Sequence, residues 1–161
     1  MDVYTLFLEY MRLSHRIDEF YHELAQRQGL SDSAFAVLWS ILELGEGCGQ
    51  KDVCKQFCMT KQTVNSSVRK LAAEGILTLQ EGAGREMRIY LTDRGRALAQ
   101  ERVVPAMEAE RRAAEAVTEE EWRTLMRLGE RWIARFQAET ARIPALKHGK
   151  EAIRSYGNSS L

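Results

Sequence analysis

Hydrophobic residues near the start of the chain recur with a heptad spacing. They occupy two positions of the repeat, which are filled by Val3, Tyr10, Ile17 and Leu24 and by Leu6, Leu13 and Phe20. This pattern predicts one helix over about residues 3–28, with Gly29 ending it. A lone helix with such a stripe must bury it against another surface.

The next sixty residues also have a helical period, but in shorter pieces. Ser31 or Asp32 caps a second helix, whose predicted apolar face consists of Phe35, Leu38, Ile41 and Leu42. Gly45, Gly47 and Gly49 interrupt the pattern, and a short helix follows from about residue 50 to 57. Thr60 then begins a helix that runs to about Glu74, with Val64, Val68 and Leu71 facing inward.

Beyond Gly75 the period changes to two. Leu77 and Leu79 alternate with polar residues before residues 82–85, and Met87, Ile89 and Leu91 alternate after them, with Arg88 and Tyr90 on the other face. Two alternating segments around a glycine-rich turn predict a β-hairpin.

Helical spacing returns after Thr92 and continues with a bend near Pro105. Thr118 and Glu121 form a capping-box pattern before a second apolar stripe, which contains Trp122, Leu125, Met126, Trp132, Ile133 and Phe136. This order of elements predicts a mainly α protein with a small β-hairpin wing: a winged helix-turn-helix with N- and C-terminal dimerisation helices. We expect one regulator domain over residues 1–142, with its DNA-binding lobe at 30–95, dimerisation helices at 1–28 and 96–142, and a partly ordered tail at 143–161.

Charge is balanced over the 161 residues, with 23 basic and 23 acidic side chains, but it is not balanced locally. The stretch from Met59 to Ala73 has three basic residues and no acidic one. Its outward face carries groups that hydrogen-bond to bases and phosphates, so this helix is predicted to enter the DNA major groove. The predicted DNA contacts are Thr60, Lys61, Gln62, Thr63, Asn65, Ser66, Arg69 and Lys70, together with Arg85 and Arg88 in the wing.

Two stretches of the chain resemble MarR-type winged helix-turn-helix regulators. They are the segment from Gln50 to Leu77, with its Thr60-Lys61-Gln62-Thr63-Val64-Asn65 core, and the wing exit Leu91-Thr92-Asp93-Arg94-Gly95. The resemblance implies a repressor that binds a palindromic operator on double-stranded DNA as a homodimer. It also implies release by a small anionic or aromatic ligand.

This chain departs from the MarR pattern at three positions. Ala83 stands where an aspartate commonly precedes the wing arginine, here Arg85; Cys58 stands where glycine is frequent; and Gly49 replaces a capping serine or threonine. The wing contact of Arg85 is therefore expected to be weaker than in a braced wing. Phe7, Met11, Trp39 and Met107 are candidate effector-binding residues.

Three cysteines, Cys48, Cys54 and Cys58, are an odd number without framework spacing, which favours a reducing, cytoplasmic environment. A thiol-based redox sensor is one alternative, and the other interpretation is that Cys54 is a small buried apolar residue. Two further alternatives are a protein-interaction winged helix that binds no DNA and a ligand-insensitive architectural or activating regulator.

Several classes of protein are not expected from this sequence. No apolar run reaches the roughly 20 residues of a membrane helix, and the first residues lack the pattern of a secretory signal. No nucleophile–base pair, phosphate loop or metal-ligand spacing is evident, so we expect no enzyme, cofactor or metal. The two apolar stripes instead predict a homodimer formed through residues of about 3–25 and 119–140.

Overall fold

The computed structural model describes residues 2–82 and 86–144. These residues form seven helices and three strands: α1 (Val3–Arg27), α2 (Asp32–Leu44), β1 (Cys48–Gly49), α3 (Gln50–Gln56), α4 (Lys61–Ala73), β2 (Leu77–Glu81), β3 (Met87–Leu91), α5 (Asp93–Arg102), α6 (Val104–Ala114) and α7 (Glu119–Thr140). The predicted winged helix-turn-helix fold is confirmed. We call residues 32–91 the winged-helix lobe.

Helix α2 lies at the centre of the hydrophobic core. Every residue from Ala34 to Ile41 is buried, because α1, α3, α4 and α5 surround the helix. The sequence predicted a single apolar face here, and that prediction was too narrow. Alanine and serine fill the intervening positions, and their small side chains allow neighbouring helices to pack closely on every side.

Helix α4 packs one face into the same core and leaves the other face outside. Val64, Val68 and Leu71 are buried as predicted. Thr60 caps the helix, because its hydroxyl oxygen accepts a hydrogen bond from the Thr63 N–H at 3.1 Å. The inward stripe therefore determines which side chains of α4 point outward.

The predicted hairpin is present, but it belongs to a sheet of three antiparallel strands in the order β1-β3-β2. Leu77 pairs with Leu91 and Glu81 with Met87, while Cys48 of β1 pairs with Ile89. The sequence did not predict β1. Two residues beside glycines are too short to show a period, and the strand forms only because β3 provides a partner some forty residues later.

A close backbone approach joins the end of the wing to α5. The Thr92 hydroxyl donates to the Gly75 carbonyl oxygen at 2.7 Å and accepts from the Gly95 N–H at 2.9 Å. A Cβ atom on Gly95 would lie 2.0 Å from the Ile76 carbonyl oxygen. Only glycine fits here, which gives a structural reason for the Leu91–Gly95 sequence at the wing exit.

The second half of the chain contains two helical breaks. The first lies at Val103, between α5 and α6, which places Pro105 in the first turn of α6 as its missing N–H allows. Residues up to Ala114 form one compact unit, and those from Glu115 form another. In the second unit, the predicted capping box begins α7: the Glu121 carboxylate accepts the Thr118 N–H at 2.8 Å.

Candidate nucleic-acid interface

Helix α4 presents the polar surface that its sequence predicts. Of the eight candidate DNA contacts on α4 and its cap, seven are exposed and one, Asn65, is half-buried. The exposed ones are the cap residue Thr60 and, within the helix, Lys61, Gln62, Thr63, Ser66, Arg69 and Lys70. None of the residues of α4 is acidic. The helix therefore offers amide, hydroxyl, guanidinium and ammonium groups together, and these are the groups that read base edges and phosphates.

The turn before α4 requires an unusual backbone conformation. Cys58 has a φ of +49°, in the left-handed region that favours glycine, and it directly precedes the last residue before the cap. The left-handed conformation gives a physical reason for the glycine that is frequent at this position in MarR-type sequences. The Cys58 thiol is exposed, whereas Cys54 packs partly against the core. Cys48 is buried, and this burial raises the pKa of its thiol.

Arg88 of the wing is held by the protein itself. Its guanidinium forms an ion pair with Glu86 at 3.1 Å and donates to the Gly47 carbonyl oxygen at 3.2 Å, so it ties β3 to the turn before β1. A DNA contact by Arg88 stays a prediction, because it requires this pairing to be shared or broken. Ala83 and Arg85 lie outside the described residues.

A polar clamp that the sequence did not predict holds the base of the wing. The Arg96 guanidinium contacts the carboxylates of Glu46 at 2.8 Å and Asp93 at 2.9 Å, and hydrogen bonds to Asp93 and Glu46 raise its pKa. The second Glu46 oxygen accepts the Leu91 N–H at 3.2 Å. Because Glu46 lies some fifty residues from Arg96, no local pattern could reveal the pair.

Comparison with known proteins shows what this region of the chain is similar to. The MarR family model matches residues 28–86, which span α2 through the start of the wing. This part of the chain is therefore similar to MarR family proteins. No match to a curated protein was found.

Several solved structures are similar to this chain in fold. NMB1585, a MarR family regulator from Neisseria meningitidis, is 22% identical with a TM-score of 0.71, and the match covers 89% of this chain and 100% of that one. BpsR of Bordetella bronchiseptica is 22% identical with a TM-score of 0.57, covering 77% and 98%. MepR of S. aureus, solved as a DNA complex, is 18% identical with a TM-score of 0.62, covering 79% and 93%.

Helices α1, α2 and α6 line an open cavity of about 670 Å³. Trp39 lines it, whereas the other candidate effector residues, Phe7, Met11 and Met107, do not. The sequence missed Tyr21 of α1, which donates a hydrogen bond to the Glu110 carboxylate of α6 at the cavity wall. Burial and this carboxylate together raise the pKa of the Tyr21 hydroxyl.

Other kinds of site were also sought in the described ranges. No group of three or more metal-ligating side chains comes together in residues 2–82 or 86–144. None of the described helices combines the length and apolarity needed to cross a membrane.

Proposed function

We propose that this protein is a sequence-specific DNA-binding transcriptional regulator that represses its target genes as a homodimer on a palindromic operator in the cytoplasm. The observation that carries the proposal is the exposed, acid-free face of α4, held by a helix-turn-helix and a wing. The DNA complex of MepR supports it, because that protein shares the fold. The proposal includes no catalytic role.

Two exposed apolar stripes support the homodimer. In α1, Leu13 is 52% exposed and Phe20 is 58% exposed; in α7, Met126 is 63% exposed and Phe136 is 55% exposed. Monomeric proteins rarely leave apolar stripes of this extent in water, and this holds for each of the two helices. A twofold dimer would bury equivalent surfaces on both copies and present two α4 helices, which is the symmetry of a palindromic site.

The alternative of a protein-interaction winged helix has less support. Such a protein has no need for the absence of acidic residues along α4 or for three basic ones on that helix. The exposed side chains of Arg69 and Lys61 pair with no carboxylate among the described residues. Their charge is therefore available to a polyanion.

Selection of bound duplexes from a random pool, followed by titration of the best duplex, tests DNA binding directly. We expect Arg69→Ala to weaken binding and to lower the slope of log affinity against log salt by about 1, because one phosphate contact is lost. Arg112→Ala on α6 removes the same charge elsewhere and should leave the slope unchanged. Enrichment of no duplex, with the folded protein present, contradicts the proposed function.

The cavity between α1, α2 and α6 is the candidate effector site. Its lining residues include three carboxylates, Glu19, Glu23 and Glu110, a single cation, Arg16, and aromatic side chains such as Trp39. These charges favour a small ligand with an aromatic body and a positive charge over the anionic ligand that the resemblance implies. In BpsR, 6-hydroxynicotinic acid regulates DNA binding, so ligand control has a precedent in this fold.

Release of the selected duplex by matched small molecules tests the effector proposal. We expect millimolar benzylamine to weaken DNA binding more than benzoate does, and Glu110→Gln to reduce that difference. If benzoate released the DNA duplex more strongly than benzylamine, the proposed positive charge of the effector would be contradicted and an anionic effector would be favoured.

Thiol sensing is a second candidate because Cys58 is exposed in the turn that leads into α4. We expect the double variant Cys54→Ser, Cys58→Ser to bind DNA within a few-fold of the unchanged protein. Peroxide that abolishes binding by the unchanged protein but not by the double variant would instead establish a redox sensor.

A further inference from the structure

A polar groove of about 450 Å³ lies between the start of α2 and one side of α4. Five hydroxyl groups, one carboxamide and one ammonium group line it, from Ser31, Ser33, Gln62, Thr63, Ser66, Ser67 and Lys70. No acidic side chain is among its lining residues. The groove is therefore suited to an anion, and it borders the face of α4 that is proposed to read DNA.

Ser67 of α4 offers the groove a hydroxyl group that is free to hydrogen-bond to a ligand. The residue is only 7% exposed and lines the groove, and its hydroxyl forms no hydrogen bond to another described residue. Among the described residues, the fully buried side-chain polar atoms without a partner are Ser40 Oγ and Gln56 Oε1, so the Ser67 hydroxyl remains accessible from the groove. An acceptor atom seated in the groove would satisfy it.

The start of α2 supplies further donors. The Ser31 hydroxyl already accepts the Ala34 N–H at 3.3 Å, whereas the backbone N–H groups of Asp32 and Ser33 have no acceptor among the described residues. Such free N–H groups and the helix dipole favour an anion at a helix N-terminus. Lys70 adds a full positive charge on the opposite wall.

The one carboxylate at the start of α2 is engaged elsewhere. Both Asp32 oxygens contact His22 Nδ1 of α1, at 2.9 and 2.8 Å. Asp32 does not line the groove, so its charge does not occupy the place that an anion would take.

We propose that this groove seats one backbone phosphate of the DNA strand beside the major groove that α4 enters. Ser67, the hydroxyl of Ser33 and the free α2 N–H groups donate to the phosphodiester oxygens, and Lys70 neutralises its charge. The inference rests on the proposed function and adds α2 to the DNA-binding surface, which the sequence limited to α4 and the wing.

Ser67→Ala is the principal variant, and Ser40→Ala is its matched control. Ser40 is also a buried serine whose hydroxyl has no partner, but it lies inside α2 and not on the groove. We expect Ser67→Ala to weaken binding of the selected duplex about 10-fold, the size expected for one hydrogen bond to a charged group. Ser40→Ala should leave affinity unchanged.

Duplexes in which a neutral methylphosphonate replaces one phosphate at a time locate the contact. We expect one position in each half-site at which the unchanged protein loses about 10-fold and Ser67→Ala loses little more, because both changes remove the same contact. Additive losses at every position overturn the proposal while leaving DNA binding intact.

Titration with inorganic phosphate distinguishes a contact to the DNA backbone from a binding site for a free anion. The proposal expects free phosphate to bind weakly, with the Asp32 and Ser33 amide resonances shifting only at high millimolar concentrations. Submillimolar phosphate binding, together with normal DNA binding by Ser67→Ala, would overturn the assignment to the DNA backbone. Failure of the unchanged protein to bind any duplex would overturn both this inference and the proposed function.

Discussion

Helices α2 and α7 contain many apolar residues, but the two helices bury them very differently. Eight of the 13 residues of α2 are buried, whereas none of the 22 residues of α7 is. In α7, Trp132 is 41% exposed and stacks on Phe136 at 5.4 Å between ring centroids. The chain therefore supplies the packing partners of α2 itself, while the stripe of α7 is left exposed, as the proposed homodimer would require.

The largest expected effect comes from shortening a core side chain of α2. Leu38 is fully buried, so Leu38→Ala should lower the free energy of unfolding by about 3 kcal/mol through lost burial and a residual cavity. Leu125→Ala in α7 is the matched substitution and should cost under about 1 kcal/mol in dilute, monomeric protein. Urea unfolding at two protein concentrations measures both, and equal losses would remove the contrast between the helices.

The second effect concerns assembly rather than folding. Ile133→Glu places a charge on the exposed stripe of α7 and should raise the dimer dissociation constant at least about 30-fold, which corresponds to about 2 kcal/mol. Ala134→Glu puts the same charge on the adjacent exposed position, off the stripe, and serves as the control. Sedimentation that shows a stable, fully helical monomer of the unchanged protein at micromolar concentration would contradict the dimer.

A smaller effect is expected at the start of α7. Thr118→Ala removes the cap and should cost about 1 kcal/mol, whereas Thr118→Ser should retain it. Hydrogen bonds from Thr118 lower the pKa of Glu121, so this contribution is present at neutral pH and is lost as the pH falls through the acidic range. Thermal unfolding of the three proteins at neutral and acidic pH tests this, and equal acid sensitivity in all three would argue against the capping box.

The smallest effect has the opposite sign. The Ser40 hydroxyl is buried in α2 without a partner, so Ser40→Ala should leave stability unchanged or increase it by about 0.5 kcal/mol. A clear loss of stability in urea unfolding would show that the hydroxyl has a partner in solution. Together, Leu38→Ala and Ser40→Ala separate the contribution of apolar packing in α2 to stability from that of its buried hydroxyl group.

Local patterns predicted the elements whose signals lie within a few residues. The inward stripe Val64, Val68 and Leu71 determined the exposed face of α4, and the change of period to two located the hairpin. The Thr118 capping box and the break near Pro105 are of the same kind. Each of these features depends on residues that are neighbours along the chain, so its pattern can be recognised in a single sequence.

The features that were missed depend on residues far apart in the sequence. Strand β1, the Glu46–Arg96 clamp and the groove between α2 and α4 each join segments thirty to fifty residues apart. Even Ser67 looks from the sequence like one more polar residue of α4, and only packing against α2 makes it a buried donor.

By itself, the sequence determined the order of helices and strands, the winged-helix fold and the polar face of α4, because hydrophobic period and capping chemistry act over one or two turns. Tertiary structure alone decided that α2 is buried on all sides, that Arg88 is engaged by Glu86 and Gly47, and that the donors at the start of α2 meet Lys70 and Ser67. Burial and electrostatic pairing depend on which surfaces meet in space, and that information becomes available only when the chain folds.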